Sequence, residues 1–267
     1  MTQKLNEPPS ARNVCEALLV NERSDRVERN ILPSEIKVID RLLSRGLELD
    51  DAYLEIHRAL HEYPNALATF FDVVLRIAAF WHPAANLEAR RGREHLVEIN
   101  QRIATAAAKL SKLLVQRGQL QNRSGFSCDT HYHPVQVMHA AAEQNLLYRD
   151  WVQDPLESIT SRFDLKYWPS LSDFVQVIAD DAAQANPQPH DALTEAGTQG
   201  LRPSLADTFK AFFVALDESR SRHHGQIPDN FKLSDRSVAT LMNCALDLGT
   251  DELTDGTYVK NLRLRTR

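Results

Sequence analysis

Residues 84–118 hold the feature that most restricts how this chain can fold. Leu96, Ile99, Ile103, Ala106, Leu110 and Leu113 follow one another at spacings of 3, 4, 3, 4 and 3. That is an a/d heptad stripe, and it predicts one long helix over about 84–118. At 1.5 Å per residue such a helix is about 50 Å long, more than a small bundle needs. The stripe therefore has two readings. It is the inward seam of a long helix within one bundle, or a seam that pairs with a partner chain or a second copy.

The rest of the chain also reads as helix. Glycine is scarce, at 9 of 267 residues, and no convincing alternating strand appears. Pro33 and Ser34 open a segment with Ile36, Ile39 and Leu43 on one face. Pro64 and Asn65 precede the very apolar ALATFFDVVLRIAAFW, expected as a central buried helix. Ser170, Ser204 and Ser234 each stand where a helix N-cap belongs, ahead of apolar residues at helical spacing. PSLSD at 169–173 and PSLAD at 203–207 are similar helix starts 34 residues apart, a tetratricopeptide-like period in only two copies. The expected fold is an all-α multi-helix bundle of nine to eleven helices with one long central helix. Its expected division is an N-terminal helical region, 1–122, and a C-terminal helical bundle, 123–267. The second carries a loop at about 186–203, another loop spans about 119–130, and Trp81, Trp151 and Trp168 are expected to cement the two regions.

Charge is segregated. Residues 90–123 carry 8 Lys/Arg against 2 Asp/Glu, residues 124–259 carry 9 against 20, and the last eight residues carry 4 against 0. Parts that attract one another or a sister subunit account for this pattern. The alternative partner is nucleic acid, held by Arg90, Arg91, Arg93, Arg102, Lys109, Lys112 and Arg117 on the long helix and Lys260, Arg263, Arg265 and Arg267 in the tail. The acidic half opposes that alternative. The start MTQKLNEPPSARN has no apolar stretch of the leader type, and no run approaches a bilayer span. Cys15, Cys128 and Cys244 form no C-x-x-C and read as free thiols. A cytoplasmic location is the expectation, with no membrane association.

The stretch CDTHYHPVQVMH, 128–139, raises metal chemistry. Asp129, His131 and His133 resemble the D-x-H-x-H start of amidohydrolase-type and polymerase-and-histidinol-phosphatase-type metal hydrolases, which place it at the end of an apolar strand. Here NRSGFSC precedes it, which makes a poor strand. Pro134 instead suits the first position of a helix, with His139 on its apolar face. His57 and His61, four apart in HRALHEYP, have true ligand spacing but need a further ligand, such as His82 or His139, from another helix. His190–Asp191 resembles half of the motif of helical H-D phosphohydrolases but has no second pair. FDLKYWPSLSDF and LSDRSVATLMNCALDLG, at 163–174 and 233–249, resemble helical proteins of bacterial mobile genetic elements, which implies a bacterial source and carries no functional residue. No catalytic constellation and no cofactor follow. The expected role is a non-catalytic interaction or scaffold subunit of a homo- or hetero-assembly. The alternatives are a nucleic-acid-associated accessory protein and a helical metal-dependent hydrolase using His57, His61, His131 and His133.

Overall fold

The computed structural model describes residues 10–200, 202, 204–222 and 227–265. The first nine residues, read above for a leader, lie outside the described residues, as do Pro203 of PSLAD and Arg267 of the tail. The fold is all-α: thirteen α-helices, and no strand among the described residues. They form two compact units, residues 1–91 with 189–267, and residues 92–188. The sequence-based division fell at 122/123; the compact units part at 91/92 and 188/189.

In the first unit, four helices precede the long one: α1 (Ala11–Glu28), α2 (Pro33–Ser44), α3 (Asp50–Leu60) and α4 (Ala66–Phe80). Ser10 caps α1, its side chain accepting from the Asn13 amide. Proline opens α2, where a missing N–H costs nothing. The chain returns after residue 188 as α10 (Ala192–Thr198), α11 (Leu205–Arg222), α12 (Asp235–Leu246) and α13 (Gly256–Arg265). The C-terminal helix α13 is seated by Val259 and Leu262, three residues apart.

The core of this unit is built on α4, which packs against α2, α11 and α12. Its apolar face is wide because Phe70, Phe71, Val73, Val74, Leu75 and Ile77 are all buried. The Phe70 ring meets Phe71 at 5.6 Å, Phe231 at 5.5 Å and Phe212 at 6.4 Å between centroids, so residues far apart in sequence close around one side chain. Polar ties reinforce the closure. Glu55 on α3 accepts hydrogen bonds from the Ser234 and Ser237 hydroxyls, fixing the start of α12. Arg41 donates to the Ala245 carbonyl at 3.2 Å. Asn243 donates to the Thr254 carbonyl and accepts from the Thr254 amide, which holds the connector between α12 and α13. That connector starts at Asp247 in the left-handed conformation.

One ion pair is fully enclosed. Arg26 on α1 donates to Glu35 on α2 at 2.8 Å, with side-chain exposures of 5% and 4%, and also bonds Glu22. Burial pushes the Glu35 carboxyl above its usual value, against the pull of Arg26. Removing one partner leaves a buried charge uncompensated, so Arg26→Ala is expected to cost about 3–5 kcal/mol in denaturant unfolding. The double replacement Arg26→Met with Glu35→Leu is expected to recover most of that loss.

The three cysteines divide by burial. Cys15 and Cys244 are buried and free, and Cys128 is exposed and free. Burial pushes the Cys15 thiol up to about 12 and the Cys244 thiol up to about 11. Tyr53, fully buried between helices, is raised by burial as well. A thiol-specific reagent at neutral pH is expected to label Cys128 alone in the native chain and all three cysteines in denaturant. These raised groups favour the neutral, folded form. Their contribution is present below the ordinary thiol value of 9.0 and is lost as pH rises toward about 12. Melting temperature is therefore expected to fall above pH 9.0.

Candidate functional site

The long helix α5 (Pro83–Ser124) exceeds the predicted span by six residues at its C-terminal end and is 42 residues long, about 63 Å. His82 stands at its start, Nδ1 accepting from the Ala85 amide at 3.4 Å, with Pro83 in the first turn. Its first turns belong to the first unit. There Asn86 is fully buried, and Arg90 donates to the buried Asp207 of α11 at 2.6 Å. Ser204 hydrogen-bonds the same carboxylate, and a Cβ on Gly200 would stand 3.0 Å from it. From Gly92 onward the helix belongs to the second unit.

There the stripe has no cover. Leu96, Ile99, Ile103, Leu110 and Leu113 are 36% to 53% exposed, and Ala106 is exposed as well. What α5 buries in this unit is small: Ala104, and Ser111, whose hydroxyl donates to the Ser172 carbonyl at 2.9 Å. The heptad residues are on one face, as the spacing requires, but within the chain that face meets solvent.

The whole second unit shares this property. It contains α6 (Pro134–Ala141), α7 (Leu146–Trp151), α8 (Gln153–Arg162) and α9 (Leu171–Gln184), with a 3-10 turn at Leu165–Tyr167. Among its described residues the buried side chains of hydrophobic type are Ala104, Val135, Ala179 and Ala182. Trp151, Leu147, Tyr167, Val177, Phe126 and Ile178 are all more than half exposed. Leucine, isoleucine and aromatic side chains normally supply a domain's core; here alanines do. Trp151, expected as cement, is 75% exposed, whereas Trp81 packs on the core of the first unit and Trp168 meets the His133 ring at 4.8 Å.

The histidines of the sequence reading are accounted for by local structure. His133 is the N-cap of α6: its Nδ1 accepts from the Val135 amide, and Gln136 accepts from the His133 amide at 3.3 Å. His131 is exposed. His139 Nδ1 lies 2.8 Å from the Tyr148 hydroxyl. The His57 and His61 rings stack at 4.9 Å on the surface, with His61 Nδ1 at 2.9 Å from the His57 carbonyl. Asp191 caps α10, and the hydrogen bond it accepts from the Thr194 amide holds its carboxyl below the usual value. Among the described residues no three His, Cys, Asp or Glu side chains are grouped to hold a metal ion.

The cations fare unequally. Arg90 is spent on Asp207, and Arg263 is tied to Asp235 at 2.7 Å and to the Leu233 carbonyl, over the Phe213 ring. Arg91, Arg93, Arg102, Lys109, Lys112, Lys260 and Arg265 are exposed, and Arg117 is half-buried. They do not form one row. Arg91, Arg102 and Lys109 fall within about 20° of a line along α5, while Arg93 faces nearly the opposite way. The first unit also holds a cleft of about 820 Å³ with Phe213, Leu262, Lys210, Lys232 and Arg265 in its wall; the described residues lining it include no His, Cys or Ser. No single helix among the described residues is long and apolar enough to cross a membrane.

The chain matches none of the protein-family models, curated proteins or solved structures with which it was compared.

Proposed function

We propose that this chain is a non-catalytic subunit of an assembly, with the second unit as its docking module. The observation that supports this reading is the inverted burial of that unit: alanines inside, and leucine, isoleucine, phenylalanine and tryptophan outside. An isolated helix in water is marginal, and most helices in proteins are stabilised by packing an apolar face. Scattered exposed leucines are ordinary, but a continuous apolar stripe marks an interaction surface.

The magnitude is adequate. Fully burying a leucine or isoleucine side chain contributes about 1.5–3 kcal/mol, so covering five half-exposed ones contributes on the order of 4–8 kcal/mol per helix. On the affinity scale that range runs from about millimolar to about micromolar before other contacts are added. The first unit acts in this reading as a stable body carried by the docking module.

Replacing Ile103 and Leu110 with glutamine tests the reading. The first unit's core is untouched by these changes, so its cooperative unfolding is expected to persist. The particle mass by light scattering is expected to drop to that of one chain, with association weakened about a hundredfold. A mass and helix content that do not respond to the double substitution would remove the support for this function.

A further inference from the structure

The docking reading leaves the partner open, and the charges of the second unit narrow it. With Leu96, Ile103 and Leu110 at heptad a and Ile99, Ala106 and Leu113 at d, the flanking g positions include Arg102 and Lys109. Seams of this kind use flanking charges to select what they pair with. Pairing α5 with α5 of another copy gives these cations nothing. Antiparallel, Arg102 faces the second Lys109. Parallel, Arg102 and Lys109 face the e positions, Ala107 and Leu114.

Helix α9 has the complementary design. Among the described residues of the second unit it is the helix with acids and no base: Asp173, Asp180 and Asp181. It buries Ala179 and Ala182 and leaves Phe174, Val177 and Ile178 between 46% and 66% exposed. Asp173 and Asp180, seven residues apart, run along the edge of that apolar face. Its 14 residues span about 21 Å. The stripe from Leu96 to Leu113 spans about 26 Å, so α9 is long enough to lie along most of it, with its exposed apolar turn Phe174 to Ile178 covering about 6 Å. Each therefore offers an uncovered apolar face edged by a charge of opposite sign.

Resting on the docking reading, we propose that the partner is a second copy of this chain, in a twofold dimer where the α5 stripe of each protomer is covered by α9 of the other. The contact is isologous: every chain gives one basic and one acidic seam, and both are satisfied in a closed pair. Arg102 and Lys109, about 10 Å apart on one line, face Asp180 on the edge of the partner's α9, and Asp181, about 100° further round the helix, lies within the covered face. Asp173 stays with Ser170, whose hydroxyl and amide it accepts from at the start of α9.

Two variants of the full chain test this by light scattering and analytical ultracentrifugation. One carries Arg102→Glu with Lys109→Glu, the other Asp180→Lys with Asp181→Lys. Each alone places like charges across both seams, and self-association is expected to weaken about tenfold or more, with helix content by circular dichroism retained. Mixed at equal concentration, both seams regain opposite charges, and a mixed dimer of near wild-type affinity is expected. Failure of the mixture to dimerise, with both variants helical and the wild type dimeric, would overturn the α5–α9 pairing. A wild type that stays one chain throughout the micromolar range would overturn the second copy as partner. The docking reading would then stand or fall separately on whether the Ile103 and Leu110 substitutions alter the helix content of the chain. Should a charge variant lose its helix content, the neutral pair Arg102→Gln with Lys109→Gln replaces it, expected to weaken the dimer less than the reversal and, on mixing with the lysine variant, to regain one of the two attractive seams. Unchanged affinity in that neutral pair counts against the proposal.

Discussion

A leucine can be buried only against a surface, and the long helix of this chain has no such surface for its seam. In the second unit α5 turns Ala104 and Ser111 inward and leaves Leu96, Ile103 and Leu110 half in water. The hydrophobic effect is proportional to area removed from water, so this arrangement stores a driving force that the single chain does not use. The exposed aromatic residues of α7 to α9 extend it. Everything proposed for function follows from that imbalance.

The first unit shows what the same chemistry does when neighbours are present. Phe70, Phe71, Phe212 and Phe231 close around one another, and the α1–α4 segment meets α11 and α12 across a long excursion of sequence. Its enclosed charges are paired: Arg26 with Glu35, Arg90 with Asp207. Such pairs add little net stability over an apolar equivalent, but each makes mismatched packing costly. The Arg90–Asp207 pair has a second effect. It anchors the first turns of α5 on α11 within the first unit.

Sequence reading reached the helical class, the buried ALATFFDVVLRIAAFW helix, the Ser170 and Ser234 caps and the residues that share the α5 stripe. Those features are local, set by spacing and capping chemistry. It passed over α1, because the helix's buried face carries Arg26 where an apolar residue would complete the period, and only its partner Glu35 makes that burial tolerable. The length of α5 was underread because Gly118 and the polar GQLQNRS looked like a loop, and the structure continues the helix through them. Arg90 and Arg263 looked like surface cations; their acids lie 117 and 28 residues away. Periodicity also cannot say whether a stripe is covered. It identifies a shared face, and cover is a property of the tertiary structure.

The central claim is that another chain stabilises the α5 stripe. Amide hydrogen exchange across residues 96–113, followed as a function of protein concentration, tests it most directly. Protection that rises with concentration in this segment, while α4 and α12 in the first unit stay equally protected throughout, is the predicted result. Protection of the segment that is the same at the lowest and the highest concentration would contradict the account.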